Sequence, residues 1–405
     1  MMSSQWQACG LLRTVRTVLV LVAGAMVVPM PVQAQSQAGD PLFELRVRHE
    51  SVDEQGFSRD AGATTLRARF GWRQHLASRW TILAEGEYIA HLLDENFNST
   101  TNGKTRFPVV ADPDATELNQ AFVGYADDVF NARLGRQRVQ FDNLRFIANV
   151  GWRQNEQTFD AFDASWRLGE HGPTLRYAYL DRVHRVLGDR NPQGEWDLDG
   201  HAIHIGVALP LGTVAGYAYL IDNRNVVAGS TATYGLRWSG TIDGPAFASK
   251  FAWLVEAAQQ RDYARNPERF SVAYWRIEPT LTWGAISTLI GYERLGSNGS
   301  VGLQTPLATL HAFNGWADRF TTTPTRGLED AWLGLEGRHG VWRWQAVWHD
   351  YSAAAGGEAY GNEIDLMLGR DLGHGMAVML KYADYDSSGF STDVRKAWLN
   401  FEFKY

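Results

Sequence analysis

The chain has 405 residues, with 38 Lys and Arg against 45 Asp and Glu, and 12% of it is aromatic, including 16 Trp. The acidic balance argues against a uniformly basic nucleic-acid binder. A single cysteine, Cys9, excludes a disulfide framework and any multi-thiolate metal site.

Residues 1–34 carry Arg13 and Arg16, then an apolar run over 18–28, then Pro29, Pro31 and Val32-Gln33-Ala34. Basic, apolar and small residues in that order predict a secretory signal peptide cleaved after Ala34. The apolar run is too short to span a bilayer as a helix. Removing it takes Cys9 as well, so residues 35–405 would hold no thiol nucleophile. They would keep 36 basic against 45 acidic residues, a net charge of −9. Mean hydropathy is −0.29, and no later stretch approaches about 20 consecutive apolar residues. Helical membrane spans are therefore excluded, and the aromatic content needs another explanation.

From about residue 40 onward the hydrophobic period is 2, the period of strands. Leu66, Ala68, Phe70 and Trp72 alternate with Arg67, Arg69 and Arg73. Trp80, Ile82 and Tyr88 oppose Glu85 and Glu87, and Leu175, Tyr177 and Tyr179 oppose Arg176. Trp342, Trp344 and Trp348 oppose Arg343 and Gln345; Ile364, Leu366 and Leu368 oppose Glu363 and Asp365. The last strand sets Leu399, Phe401, Phe403 and Tyr405 against Lys396, Asn400 and Glu402. A soluble sandwich alternates too, but here short and long connections also alternate. Short ones fall near 75–79, 127–130, 168–173, 210–212, 241–247, 281–284, 338–340 and 371–375. Long ones fall near 51–63, 91–115, 140–155, 183–199, 223–230, 259–268, 295–328, 351–360 and 386–392. The intervening segments, about 9–11 residues with aromatics near their ends, suit tilted membrane strands. The prediction is one all-β domain over 35–405: a transmembrane antiparallel barrel of about 18 strands, with short periplasmic turns and longer extracellular loops, in the outer membrane of a Gram-negative bacterium. Closure satisfies every backbone polar group, as lipid requires. Its terminal Tyr405 at an outward position predicts recognition by the barrel-assembly machinery, and its outer wall predicts contact with membrane lipid and lipopolysaccharide.

The face opposite lipid would line a lumen wide enough for water. Its predicted members are heavily ionic: Glu44, Arg46, Arg48, Arg67, Arg69, Arg73, Glu85, Glu87, Arg176, Arg237, Lys250, Glu256, Arg276, Glu278, Arg343, Glu363, Asp365 and Lys381. Arginine predominates in the first strands, and its always-charged fork matches carboxylates. The cluster Arg46, Arg67 and Arg69 therefore predicts an anion-favouring constriction, with mutual pairing of the lumen charges as the alternative.

Two segments carry a family resemblance. The first is Gly135-Arg136-Gln137 with Arg145-Phe146-Ile147-Ala148-Asn149-Val150-Gly151-Trp152-Arg153-Gln154-Asn155-Glu156-Gln157-Thr158-Phe159-Asp160. The second runs from Gln304-Thr305-Pro306 to Ala317-Asp318-Arg319-Phe320, with Thr323-Pro324, Gly327-Leu328 and the preceding Gly291-Tyr292-Glu293. Both resemble the alginate-export porin family. The resemblance implies an eighteen-stranded barrel with an arginine-rich pore, passing acidic sugars or alginate-like polyuronates by passive diffusion. It adds Arg136, Arg138, Arg145 and Arg153 to Arg46, Arg67, Arg69 and Arg176 as expected pore-lining residues. The first segment is expected to be two strand ends joined by a loop over 140–155 that folds into the lumen, either lining the constriction or pinned to the wall through Arg145, Arg153 and Asp160.

Other classes fit less well. A barrel enzyme acting on lipid or polysaccharide, or a general small-solute porin, are the alternatives. His201 and His204 are the tight histidine pair, but residues three apart on a strand face opposite sides and cannot share a metal. No Gly-x-Ser-x-Gly elbow is present. No cofactor is expected, although the acidic loops Asp94-Glu95-Asn96 and Asp189, Asn191, Gln193 could offer oxygen ligands to calcium.

Overall fold

Period-two alternation becomes strand after strand along the chain. The computed structural model describes residues 39–76, 78–93, 95–244 and 248–405; the predicted signal peptide and Asp94 lie outside the described residues. The first nine strands are β1 (Asp40–Glu54), β2 (Ala61–Leu76), β3 (Trp80–His91), β4 (Ala115–Ala126), β5 (Phe130–Gln137), β6 (Thr158–Arg167), β7 (Thr174–His184), β8 (Glu195–Leu209) and β9 (Gly212–Asn223). The second nine are β10 (Thr231–Asp243), β11 (Lys250–Asp262), β12 (Ser271–Trp283), β13 (Ile286–Leu295), β14 (Leu328–His339), β15 (Trp342–Ser352), β16 (Ala359–Gly373), β17 (Met376–Ser387) and β18 (Val394–Lys404). Each pairs antiparallel with its chain neighbours. β1 also pairs with β18, from Glu44 opposite Lys404 to Glu54 opposite Val394, and this closes the barrel. No helix among the described residues is long and apolar enough to cross a membrane; this chain crosses with strands.

Short and long connections alternate as the sequence predicts, and β1 begins and β18 ends on the short-turn side. The strands are less uniform than expected, from 8 residues in β5 to 16 in β2. Long strands such as β1, β2, β8 and β16 continue beyond the apolar belt toward the outer loops. The hydrocarbon thickness sets only the membrane-embedded part of each strand.

The outward face carries Phe70, Leu134 and Leu236, each at least 60% exposed. Toward the short turns, aromatics gather into a girdle: Phe43 against Phe70 and Phe403, Trp80 against Tyr125, and Phe130 against Trp166. Toward the long loops the outward face turns ionic, with Arg136–Asp160, Arg182–Asp197, Arg294–Glu329 and Arg395–Asp384 pairs. Aromatic girdle and charged collar bracket the belt that lipid covers.

Register shifts interrupt several strand pairs, and two of them bear on the lumen and its collar. Where β3 meets β4, Glu85 faces Gln120 and Gly86 faces Leu118, so Asn119 is the extra residue. Both amides then reach the same inward carboxylate: Asn119 Nδ2 and Gln120 Nε2 donate to Glu85 Oε1 at 2.8 and 3.0 Å. Beyond the bulge the alternation is reset and Leu118 is outward and exposed. The second bulge inserts Asp181 where β6 pairs with β7.

Candidate pore lining and its constriction

Two long loops turn into the barrel. The first, residues 138–157, leaves β5 after only eight residues of strand. At its start Gly135 has φ +124, and a Cβ there would sit 2.3 Å from the Ala121 carbonyl oxygen, so only glycine fits. Val139, Phe141, Ile147 and Ala148 of the loop are buried, and Phe146 packs on inward Tyr217, Tyr219 and Tyr274 of the wall. The second loop, residues 296–327, meets the first along a parallel bridge between Ile147 and Leu307. Ala148 N donates to Leu307 O at 2.9 Å and Thr309 N to Leu144 O at 3.1 Å. Gln157 Nε2 donates to both Ala148 O and Leu307 O, tying the seam to the wall. These are the two segments on which the sequence resemblance to alginate-export porins rests.

Seven of the eight predicted pore arginines converge here, and each is paired. On the wall, Arg46 donates to Glu402 at 2.7 Å and to the carbonyls of Gly151 and Trp152, both at 3.1 Å. Arg67 bonds Glu44, and Arg69 bonds Glu87 and Glu156. From the first loop, Arg138 donates to Glu156 at 2.8 Å and Glu85 at 3.0 Å. Arg145 forms a two-toothed contact with Glu293 at 2.9 Å and reaches Asn314 of the second loop. Arg153 bridges Glu50 of β1 and Asp318 of the second loop, both at 3.0 Å. Arg176 of β7 grips Asp163 and donates to Gln140 O at 2.6 Å. The first loop is pinned against the wall by Arg145 and Arg153, but not by Asp160, whose carboxylate pairs with Arg136 and His184 on the outward face. Burial pushes the Glu156 carboxyl up, but the guanidiniums of Arg69 and Arg138, helped by Asn119, outweigh it and hold the group down at about 2.

Arg136 is the exception. It shares the outward face of β5 with exposed Leu134 and pairs with Asp160 at 2.8 Å, while His184 approaches the same carboxylate. It belongs to the charged collar outside the barrel, not to the pore. Alternation settles this: two residues from a lipid-facing leucine the side chain again points outward.

The inward positions of β5 were missed in its place. Below the first loop, toward the short turns, lies a cavity of about 470 Å³ lined by Arg73, Arg133, Arg138 and Arg176, with Gln120, Phe122, Asn131 and Gln140. Asp163 is the single carboxylate of that lining, and Arg176 already occupies it. Among the described residues, Arg73 and Arg133 have no carboxylate within ion-pair distance; Arg133 rests on the Phe122 ring. The alternation of β5, Phe130, Ala132 and Leu134 against Asn131 and Arg133, carries the signal for this residue.

The opposite wall is acidic. Glu278, Asp330 and Asp365 line a smaller cavity of about 150 Å³ beside Arg276 and His349. On the loop side an outer vestibule of about 420 Å³ ends on Trp152, Arg153, His311 and Asp318. His201 and His204 do face opposite sides of β8: His201 lies on the outer wall near Asp199 and Tyr177, and His204 bonds Asp142 within the lumen. In the second acidic loop, Asp189 N donates to Glu117 and Asn191 Oδ1 accepts from Gln193 N. No group of three His, Cys, Asp or Glu side chains among the described residues is arranged to hold a metal.

A closed eighteen-stranded barrel with a lipid-facing belt, short turns at one end and loops infolded into a polar lumen defines an outer-membrane porin. Comparison adds a partial match: the alginate-export family model matches residues 41–202, which contain the first infolded loop and all eight arginines. No curated protein sequence matches the chain. Among solved structures it is similar to OpdL of Pseudomonas aeruginosa, with 13% identity, a TM-score of 0.69, and coverage of 91% of this chain and 98% of that one. OccAB4 of Acinetobacter baumannii gives 13% identity, a TM-score of 0.68, and coverage of 91% and 99%. OpdK of Pseudomonas aeruginosa, solved with vanillate, gives 13%, 0.68, 90% and 98%. At such identities the likeness is one of fold.

Proposed function

We propose that this barrel is an anion-preferring channel for small carboxylated solutes, acidic sugars among them, which pass by diffusion. One observation carries the reading. Among the described residues, Arg73 and Arg133 stand in the inner cavity with no carboxylate partner, whereas Arg46, Arg67, Arg69, Arg138, Arg145 and Arg153 at the loop seam spend their charge on loop and wall. In a wet lumen each would attract a monoanion at 5 Å by roughly 0.8 kcal/mol. Two together favour anions over neutral solutes by about tenfold. The alginate-export match supports uronate-like solutes, and the vanillate in the OpdK structure is a further carboxylate-bearing solute in a similar barrel. The paired loops favour single acidic sugars or short oligomers over a long polymer.

The test is the reversal potential of the purified protein in planar bilayers under a potassium chloride gradient. Anion preference at neutral pH is expected; a cation-selective or non-conducting barrel would sink the reading. A second reading, a channel for small solutes of either charge, is favoured by the acidic cavity at Glu278, Asp330 and Asp365. It predicts a reversal potential near zero.

A further inference from the structure

The place where both infolded loops meet the wall contains a histidine that permeation does not use. His311, in the second loop, is bonded through both ring nitrogens: Nδ1 lies 2.8 Å from Asp318 Oδ1, and Nε2 lies 2.7 Å from Lys381 Nζ of β17. An ammonium only donates, so Nε2 accepts and the neutral ring carries its proton on Nδ1, toward Asp318. Trp152 of the first loop stacks on this ring at 4.2 Å and 3°. The Lys381 ammonium sits over Trp152 at 4.2 Å and Trp316 at 3.5 Å. Asp318 in turn accepts from Arg153 of the first loop and from Lys396 of β18 at 3.1 Å. One imidazole thus joins both loops to two strands of the wall.

We propose that His311 is a proton-operated catch for the paired loops. A proton taken from solvent at Nε2 removes the acceptor for Lys381 and sets two cations face to face. The contact breaks, the Trp152 stack loses its seat, and the loops swing toward the outer vestibule, widening the pore. The proton has access, because His311 and Asp318 line the vestibule of about 420 Å³ on the loop side. The inference rests on the barrel being a conducting pore.

The charges around the ring favour a response in acid. Asp318 faces it from its own loop, Arg153 from the first loop, Lys381 from β17 and Lys396 from β18. Arg48 of β1 and the Glu363 and Asp365 carboxylates of β16 act on Lys381. Burial, reinforced by Lys381, holds the imidazole well below its ordinary range. Asp318 stays ionised far into acid despite its burial, because Lys396, His311 and Arg153 surround it. A histidine depressed in the closed arrangement and free to charge in the open one stabilises closure fully above its ordinary value of about 6.5. That stability is lost as pH falls below it.

Planar bilayers with the full barrel, titrated on the loop side from pH 7.5 to 4.5, test this. The native channel should gain severalfold in mean conductance while its folded band on an unboiled gel persists. His311→Gln, whose amide can still accept from Lys381 and donate to Asp318, should conduct at its neutral-pH level throughout. A native conductance that does not change with pH overturns the proposal, as does an unchanged acid rise in His311→Gln or loss of the folded band over the same range. An acid rise abolished by Asp365→Asn but kept in His311→Gln would move the catch to the carboxylate and equally overturn it. The reversal potential at pH 7.5 reports on anion preference separately, so the two readings can fail independently.

Discussion

Two sets of arginines share this lumen. Those at the loop seam, Arg46, Arg69, Arg145 and Arg153, are buried or nearly so and each meets between one and three carboxylates. Those in the cavity below, Arg73 and Arg133, meet none among the described residues. The first set holds the constriction in shape and leaves little net field; under the proposed function the second gives the pore its sign. An arginine-rich lumen is therefore not in itself an anion filter. What counts is the guanidinium left over after the architecture has been satisfied.

The largest effect that should separate the sets is structural. Arg145→Ala would leave Glu293, wholly buried, with a weaker set of partners, and removing one member of a buried ion pair costs about 3–5 kcal/mol. The first loop should become protease-sensitive and mean conductance should rise, while the barrel still migrates as folded. Retained loop protection would mean that the seam does not depend on its arginines. Next comes Glu156. Its carboxyl lies at about 2 in the folded chain, below the ordinary 4.5, so its contribution is present above about pH 4.5 and fades as pH falls through 2. The contribution is about 3 kcal/mol. Hydrogen exchange in the loop should show that protection falling between pH 4.5 and 2 in the native protein, and Glu156→Gln should flatten the fall.

The paired change Arg73→Ser with Arg133→Ser should do the reverse. Stability should stay within about 0.5 kcal/mol, as for partner-free polar sites, while the anion-to-cation permeability ratio drops by at least about tenfold at low salt. An unchanged ratio would place the sign of the pore elsewhere. Smallest of all, Arg136→Ala should leave the reversal potential where it is, because the residue faces outward. A measurable shift would return it to the lumen.

Much of this was legible in the sequence for a simple reason: one side of every strand meets lipid and the other meets water, so alternation is strict. Strand number, turn order and the inward placing of Arg67, Arg69, Arg176, Glu363 and Asp365 follow from it. What alternation could not reveal are the places where it is broken or where no strand exists. The bulge at Asn119 turns two consecutive amides inward, and nothing in Leu118-Asn119-Gln120 announces the extra residue. Arg136 was drawn into the pore by its motif neighbours, although Leu134 two positions earlier marked its face; the same parity would have found Arg133. The main partners of Arg145 and Arg153 come from β13, β1 and the second loop, separations of 103 to 169 positions that no local pattern encodes.

The seam between β1 and β18 has a consequence for how this chain comes to exist. Arg46 and Glu402 are neighbours in the wall yet 356 positions apart, and Tyr405 N donates to Phe43 O at 2.9 Å. β1 can pair with β2 early, but its other edge stays unpaired until β18 has formed. Closing so long a span is entropically costly and kinetically slow, as contacts of high sequence separation are. Until then both edges expose unpaired backbone that invites association. The chain must therefore be kept apart from its copies and assembled as a whole. Truncating the final three residues should cost far more in yield of folded barrel than their share of the contacts would suggest.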